Sequence, residues 1–210
     1  LNLAVDYLQR ARALAKEENF LALEGDIVRC LGNAAYWQNH YHRSAQLFHQ
    51  ALTIHRKVGD LRGELSALNN LGKVTELISD LSESVSCYSQ AAELCQRIKD
   101  RLAEGVILTN LAEVTTNLGN YPEAQALFER AIAIREEIGN DEGVAMAKNY
   151  LGGLHRRIGH YDRALADYEQ ALAINLRIEH KEQTFSSLTG LGMLHCDLGE
   201  YDQAQDFLGQ

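Results

Sequence analysis

The feature that most constrains this chain is a set of residues that returns every 40 positions without insertion or deletion. A leucine begins each set and an alanine ends it, with a small residue and an aromatic residue at fixed positions between them. The leucine is found at Leu31, Leu71, Leu111, Leu151 and Leu191, and the alanine at Ala11, Ala51, Ala91, Ala131 and Ala171. A fixed period of this length is typical of stacked structural repeats, each of which packs mainly on its neighbours. The period predicts the architecture and leaves the ligand open.

Each repeat reads as two amphipathic helices joined by a short turn. Val144, Leu151 and Ile158 fall on one face of a helix with 3.6 residues per turn. Gly159 follows them, at a position where a left-handed residue often ends a helix. The chain has a single proline, Pro122, which is consistent with helix nearly throughout. We predict eleven helices, at residues 3–17, 21–37, 42–58, 61–78, 82–98, 101–118, 122–138, 141–158, 162–178, 181–198 and from 202.

The small residues of the repeat are predicted to serve helix packing. Glycine and alanine allow two helix backbones to approach closely, and the leucine and aromatic side chains fill the space that remains. We attribute the mid-helix pair Gly152 and Gly153 to this packing.

The turns between helices carry signals of their own. Asp60, Asp100 and Asn140 are predicted to cap the helices that follow, because their side chains accept hydrogen bonds from unpaired backbone N–H groups. The second repeat is the least regular, since Ser79-Asp80-Leu81 replaces a glycine-x-tyrosine turn. We expect this turn to be the softest point of the array.

The composition bounds the class of partner and the compartment. A net charge of −9 leaves no basic stripe for a phosphate backbone, so no nucleic-acid partner is expected. No run of about 18 apolar residues is present, so no membrane insertion is expected. The four cysteines have no paired spacing and read as reduced thiols of a cytoplasmic protein. The chain begins and ends within repeats, so we expect it to be a piece of a longer protein whose cut ends allow self-association.

No catalytic signature is found in the sequence. Gly72-Lys73 lacks the upstream glycine and the following hydroxyl of a phosphate-binding loop. The histidines at His40, His42, His49 and His55 show no H-E-x-x-H spacing and no paired cysteines. We therefore predict that the chain is not an enzyme and holds neither a metal ion nor a cofactor.

At Leu151-Gly152, Ala164, Tyr168 and Ala171 the chain resembles the tetratricopeptide repeat family, and the resemblance extends over nearly all of its length. The period is 40 rather than the usual 34 residues, and the proline that often ends the second helix is absent. Such long repeats are similar to those of animal polarity scaffolds that bind G-protein alpha subunits. They are equally similar to bacterial arrays attached to signalling ATPases, transcriptional regulators or caspase-like domains.

The resemblance implies an all-α fold, a right-handed superhelix of antiparallel helix pairs, in which the first helix of each repeat lines a concave groove. It also sets the expected division of the chain: 1–20 as the second helix of a truncated repeat, 21–60, 61–100, 101–140 and 141–180 as complete repeats, and 181–210 as a truncated fifth repeat. The groove is expected to bind a peptide or a protein segment.

Carried over repeat by repeat, the resemblance assigns the groove-lining positions. The expected peptide-binding residues are Arg29, Asn33, Tyr36, Trp37, Asn69, Lys73, Glu76, Thr109, Glu113, Asn149, Arg156, Arg157 and Thr189. The same columns of the repeat also contain Thr116, Asn117, Met146, Gly153, Ser186, Met193 and Asp197.

The chemistry of these positions suggests what the groove holds. Asn69 and Asn149 each offer a donor and an acceptor to a peptide backbone. Arg156 and Arg157 are suited to a carboxylate or phosphate, which predicts an acidic partner and makes Arg156 the expected anchor. The alternative for these polar residues is a solvated helix face with surface ion pairs. Trp37 is either a binding anchor or a contact to a preceding repeat.

Two functions remain open from the sequence. The first is a non-catalytic module that binds a protein segment, as part of a larger signalling or scaffold protein. The second is the sensor or regulatory arm of a multidomain, ATPase-linked transcriptional regulator, which binds a small inducer or its own catalytic domain.

Overall fold

The structure is a computed structural model that describes the backbone of residues 2–209 and the side chains of residues 3–209. Within this range the chain forms eleven α-helices and no strand. They are α1 (Asn2–Glu17), α2 (Leu21–Trp37), α3 (Tyr41–Val58), α4 (Leu61–Leu77), α5 (Leu81–Ile98), α6 (Arg101–Asn117), α7 (Tyr121–Glu137), α8 (Asp141–Arg157), α9 (Tyr161–Arg177), α10 (Lys181–Leu198) and α11 (Tyr201–Leu208). The predicted helices are confirmed, each to within about one residue at either end.

The chain divides into two compact units, which are described separately. Unit 1 is Leu1–Asp100 and contains α1 to α5, and unit 2 is Arg101–Gln210 and contains α6 to α11. Turns of two or three residues join the helices, so consecutive helices within a unit run antiparallel. The repeat boundaries within the units remain a prediction.

The caps predicted at two of the turns are confirmed. Asp60 accepts a hydrogen bond from the Gly63 amide at 3.0 Å, and Asn140 accepts one from the Gly143 amide at 2.9 Å. The cap at Asp100 stays a prediction. Asp80, which was not predicted as a cap, accepts a hydrogen bond from the Glu83 amide at 3.1 Å.

First helices lie closer together than second helices in both units. In unit 2, Cα atoms of α8 come within 8 Å of both α6 and α10, whereas those of α7 and α9 do not approach each other that closely in the described residues. In unit 1, Cα atoms of α2 and α4 come within 8 Å of each other, whereas those of α3 and α5 do not, and long side chains such as Arg56 and Gln90 bridge α3 to α5. The helices that lie closer together form the inner side of a curved stack. The inner face of each unit is therefore the surface formed by its first helices: α2 and α4 in unit 1, and α6, α8 and α10 in unit 2.

The aromatic residues of the second helices pack on the glycines of the first helices. An alanine Cβ at Gly32 would lie 2.6 Å from a Phe48 ring carbon, and one at Gly152 would lie 2.9 Å from a Tyr168 ring carbon. Both distances are shorter than real contacts of a Cβ atom, so each ring would have to shift to admit an alanine at these positions. The packing role predicted for Gly152 is confirmed.

Gly153 does not share this role. A Cβ built there meets only the Tyr168 hydroxyl, at 3.6 Å, which is an ordinary van der Waals contact. The attribution of Gly153 to helix packing is therefore wrong, because alanine fits at this position. A glycine in the middle of a helix costs about 0.5–1 kcal/mol relative to alanine. The two adjacent glycines of α8 thus have different causes.

Candidate binding groove in unit 2

Two cavities adjoin on the inner face of unit 2, since Asn149 and Tyr150 line both of them. The larger has a volume of about 660 Å³, and we call it the polar cavity. Its charged and polar lining residues are Glu113, Thr116, Asn117, Asn149, Arg156, Arg157, Tyr161 and Asp197. The smaller, the apolar cavity, has a volume of about 420 Å³. Its largest lining side chains are Met146, Tyr150, Tyr168, Phe185 and Met193. We call the two cavities together the unit 2 groove.

Asn149 lies where the two cavities meet. Its Oδ1 accepts a hydrogen bond from the Ser187 hydroxyl at 3.0 Å, which joins α8 to α10. Its Nδ2 is buried and has no hydrogen-bond partner in the described part of the chain. A buried donor left without a partner costs about 1–3 kcal/mol. A ligand that supplies an acceptor at this point therefore gains affinity from the site.

Arg156 is already engaged by a carboxylate. Its Nη1 donates to Oδ2 of Asp197 at 2.7 Å, an ion pair between α8 and α10 that is partly exposed to solvent. Its Nε is buried without a hydrogen-bond partner among the described residues. Arg156 thus keeps a buried donor, Nε, for a ligand, while Asp197 balances most of its charge.

Arg157 is the more available cation of the pair. Its side chain is exposed, and its Nη1 lies 3.4 Å from both the Thr116 carbonyl oxygen and Asn117 Oδ1. Neither partner is charged, and no ion pair joins Arg157 to an acid between residues 3 and 209. An acidic group in the polar cavity would pair with Arg157 more readily than with Arg156.

The Tyr168 hydroxyl lies beneath Gly153, at the back of the groove. Burial raises the pKa of Tyr168, and the charge of Arg156 offsets part of this shift. The phenol therefore stays protonated at neutral pH and keeps a proton to donate. Tyr168 was predicted only as a core residue, because an aromatic residue at a packing position gives no sign of where its hydroxyl lies.

The structure places the other predicted groove residues of unit 2 in different settings. Glu113 lines the polar cavity and Thr189 lines the apolar one. Thr109 is 1% exposed and its hydroxyl donates to the Gly105 carbonyl at 2.9 Å, so it lies inside the packing rather than on the groove. The Thr189 hydroxyl donates to the Phe185 carbonyl at 2.8 Å.

Several predicted residues of unit 1 contact neighbouring side chains, although Arg29 Nε is buried without a hydrogen-bond partner in the described chain. Arg29 pairs with Asp26 at 3.1 Å, and Asn33 accepts a hydrogen bond from Asn70 at 3.2 Å. The Tyr36 ring packs edge-on against Trp37, with 5.5 Å between ring centroids. Among the predicted residues of unit 1, Asn69 and Glu76 are half-buried. Lys73 and Trp37 are exposed.

Asp197 and Phe185 line the groove but are not among the expected peptide-binding residues. Asp197 pairs with a residue 41 positions earlier, and the Ser187–Asn149 bond spans 38 positions. Neighbouring first helices therefore bring together residues about one repeat apart. Pairing the columns of adjacent repeats in the sequence would have found Asp197, whereas Phe185 carries no such signal.

The described residues show two further absences. No helix between residues 2 and 209 combines the length and the apolar character needed to cross a membrane. In the same range, no group of three or more His, Cys, Asp or Glu side chains is arranged to hold a metal ion.

Family comparisons agree with this architecture. One tetratricopeptide repeat model matches residues 68–137, 103–177 and 143–210, and a second matches residues 29–58. Together the matches cover most of the chain, which therefore belongs to the tetratricopeptide repeat family. No curated protein matches the sequence.

Several solved structures share the fold at low sequence identity. BtubC (BKLC) from P. vanneervenii aligns with a TM-score of 0.82 and 18% identity, over 99% of this chain and 86% of that one. A signal transduction ATPase with numerous domains and a tetratricopeptide repeat sensor, from Pyrococcus horikoshii, gives 0.79 and 16%, over 99% of this chain and 34% of the other. A Rap protein complexed with competence and sporulation factor gives 0.73 and 17%, over 99% and 64%. The predicted fold class, an all-α solenoid of antiparallel helix pairs, is confirmed.

Proposed function

We propose that this chain is a non-catalytic interaction module that binds a segment of another protein in the unit 2 groove. The observation that carries the proposal is the buried, unpartnered Nδ2 of Asn149 at the junction of the two cavities. The module acts in the cytoplasm, within a larger signalling or scaffold protein.

The groove favours a ligand that brings acceptors and an apolar side chain. Asn149 Nδ2, Arg156 Nε and the exposed guanidinium of Arg157 are donors, and none of the three is paired with an acid through those atoms. Peptide carbonyls and carboxylates are acceptors for such groups. The apolar cavity beside them, lined by Met146 and Phe185, suits a hydrophobic side chain. An acidic residue next to a hydrophobic residue fits both cavities.

The comparisons support a protein or peptide partner. The Rap protein that was solved in complex with competence and sporulation factor is similar in fold to this chain, with a TM-score of 0.73. That complex supports binding by this architecture and does not identify the ligand of the present chain, since the identity is 17%.

A sensor of small molecules is the second candidate. The apolar cavity, at about 420 Å³, lies within the range of small-molecule sites. One of the similar structures is an ATPase with a tetratricopeptide repeat sensor. In this alternative the chain is the regulatory arm of an ATPase-linked transcriptional regulator, and the apolar cavity holds the inducer.

Self-association is a further proposal for the isolated chain. Leu3, Tyr7 and Leu14 of α1 are each more than half exposed and provide apolar surface for a second copy. Sedimentation velocity over a range of concentrations tests this, and a monomer at every concentration would reject it.

A display selection tests the main proposal. A random linear peptide library is selected on the whole chain, and the selected peptides are titrated by calorimetry. We expect Asn149→Leu to weaken binding about tenfold or more, because it removes the unpartnered donor. Asn69→Leu, the matched change at the equivalent position of unit 1, should change affinity by less than about twofold. Failure to select any peptide, or equal binding to wild type and Asn149→Leu, would overturn the proposal.

A further inference from the structure

Gly153 is a glycine without a structural reason inside its own helix. It lies in the middle of α8 with negative φ, and the nearest atom to an added Cβ is the Tyr168 hydroxyl at 3.6 Å. Its neighbour Gly152 is different, since a Cβ there would lie 2.9 Å from the Tyr168 ring. Alanine at 153 would fit and would favour the helix. Gly153 therefore weakens helix α8 at a position where no packing contact requires glycine.

The position of Gly153 in the repeat makes the missing side chain specific to α8. The equivalent residues of the other first helices are Asn33, Lys73, Glu113 and Met193, all of which have long or polar side chains. Gly153 lines the polar cavity, between Asn149 one turn before it and Arg157 one turn after it. The absence of a side chain deepens the groove on the central first helix of unit 2.

Two atoms near Gly153, Asn149 Nδ2 and Arg156 Nε, are hydrogen-bond donors without an acceptor in the described chain. Both atoms are buried, and the Tyr168 hydroxyl lies under Gly153. A ligand main chain offers a carbonyl acceptor at every residue. Removing the Cβ from the groove surface is what allows a backbone to come close enough to meet such donors.

An extended segment meets this requirement and a helix does not. Carbonyl groups within an α-helix are already bonded to amides four residues on, and packed helices keep their axes about 8–10 Å apart. An extended chain leaves its carbonyls exposed and lets its backbone lie against the groove. Resting on the function proposed above, we infer that Gly153 is the point at which the main chain of an extended ligand segment contacts α8, and that it selects extended segments over helical ones.

The test separates binding from stability. Gly153→Ala should raise the melting temperature and weaken the selected linear peptides about tenfold, the effect of one added carbon in a fitted site. Gly152→Ala is the matched control, since its Cβ meets the Tyr168 ring and should lower the melting temperature. A stapled, helical version of the same peptides should not bind the wild type at the concentrations at which the linear peptides saturate it.

The outcomes distinguish this inference from the function on which it rests. If Gly153→Ala binds the linear peptides as the wild type does, while Asn149→Leu still loses affinity, Gly153 has no role and the groove function stands. If the stapled peptides bind as well as the linear ones, selection of extended segments is wrong. A melting temperature that falls in Gly153→Ala would return this glycine to a packing role and overturn the inference. If neither Asn149→Leu nor Gly153→Ala weakens binding of the linear peptides, the groove function itself is overturned.

Discussion

The inner faces of the two units share a helix arrangement and differ at the position of Gly153. In unit 1 the equivalent residues are Asn33 and Lys73, and Asn33 accepts a hydrogen bond from Asn70 that links α2 to α4. In unit 2 the central helix has no side chain at this position, and a polar cavity of about 660 Å³ lies there. The repeated residues determine where the helices lie in both units. The residue at the repeat position of Gly153 determines whether a ligand backbone can approach the inner face.

A second difference lies at the buried ends of the second helices. His55 in unit 1 and Arg135 in unit 2 occupy the same repeat position, and both are 0% exposed. His55 Nδ1 lies 2.9 Å from Asp60 Oδ2, whereas Arg135 donates to the Gly143 carbonyl. Burial lowers the pKa of Arg135, although its guanidinium remains a cation at neutral pH. The same repeat position thus holds the rigid ring of His55 in unit 1 and the long aliphatic side chain of Arg135 in unit 2.

The largest expected effect is a difference in stability loss between an alanine placed beside His55 and one placed beside Arg135. Gly63→Ala should destabilise the protein by about 3 kcal/mol, because its Cβ would overlap the rigid His55 ring and the capping Asp60 carboxylate. Gly143→Ala should cost about 1 kcal/mol, since its Cβ would lie 2.8 Å from Arg135 Cδ and 2.9 Å from Asn140 Nδ2, a milder overlap than the 2.1 Å to His55 at Gly63. Urea unfolding followed by circular dichroism measures both. Equal losses would show that the two sites are equally rigid.

The next largest effect is expected when the side chain of Lys73 in unit 1 is introduced at the equivalent position of unit 2. Gly153→Lys reproduces Lys73 and should weaken the selected linear peptides about a hundredfold, because the side chain fills the polar cavity and adds a mobile cation. Calorimetry measures the affinity, and Lys73→Gly serves as the control that should leave it unchanged. Binding of Gly153→Lys within a factor of about two of wild type would remove Gly153 from the site.

A smaller effect compares a turn of unit 1 with one of unit 2. Ser79 has a φ of +64° where Gly119 has +82°, and only glycine takes this conformation without cost. Ser79→Gly should therefore stabilise the protein by about 1 kcal/mol, and Gly119→Ser should destabilise it by a similar amount. Hydrogen exchange should also be faster at residues 79–87 than at 119–127 in the wild type. Equal protection of the two segments would reject the prediction that this turn is the softest point.

The smallest effect concerns pH. The amide of Gly63 lowers the pKa of Asp60 by hydrogen bonding, and His55 adds to the shift. A carboxyl whose folded pKa is lowered stabilises the fold above its unfolded pKa of about 3.9, and this stabilisation is lost as the pH falls through the folded value. Asp60→Asn gives position 60 the residue that unit 2 has at Asn140, which does not titrate there. The melting temperature of Asp60→Asn should therefore fall less than that of the wild type between about pH 5 and pH 2. If the melting temperatures of the two proteins fall in parallel with pH, the ionised Asp60 cap does not contribute to stability.

The helices could be predicted from the sequence because their signals are local and repeated. The period aligns each apolar face, and residues such as Asp60 and Asn140 mark the helix starts through caps that the structure confirms. The packing of glycine against an aromatic ring, as at Gly152 and Tyr168, was likewise readable from fixed spacing.

The groove was less predictable because it depends on which side chains meet across helices. Arg156 looked like a free anchor in the sequence, but Asp197 of the next first helix balances it. Thr109 shares a column with Asn149, yet its hydroxyl bonds back to its own helix. Gly153 looked like a packing glycine, because the sequence does not show how far the Tyr168 ring reaches. Periodicity gives positions on a face, whereas the partners on that face require the packed structure.

The most direct test of the central claim is an NMR study of a selected linear peptide bound to the whole chain, with the Gly153 Hα protons assigned. The account predicts intermolecular NOEs between these protons and main-chain protons of the peptide, together with shifts at Asn149 Nδ2. A peptide whose NOEs are confined to Trp37 and Lys73 of unit 1, with none to Gly153, would contradict it.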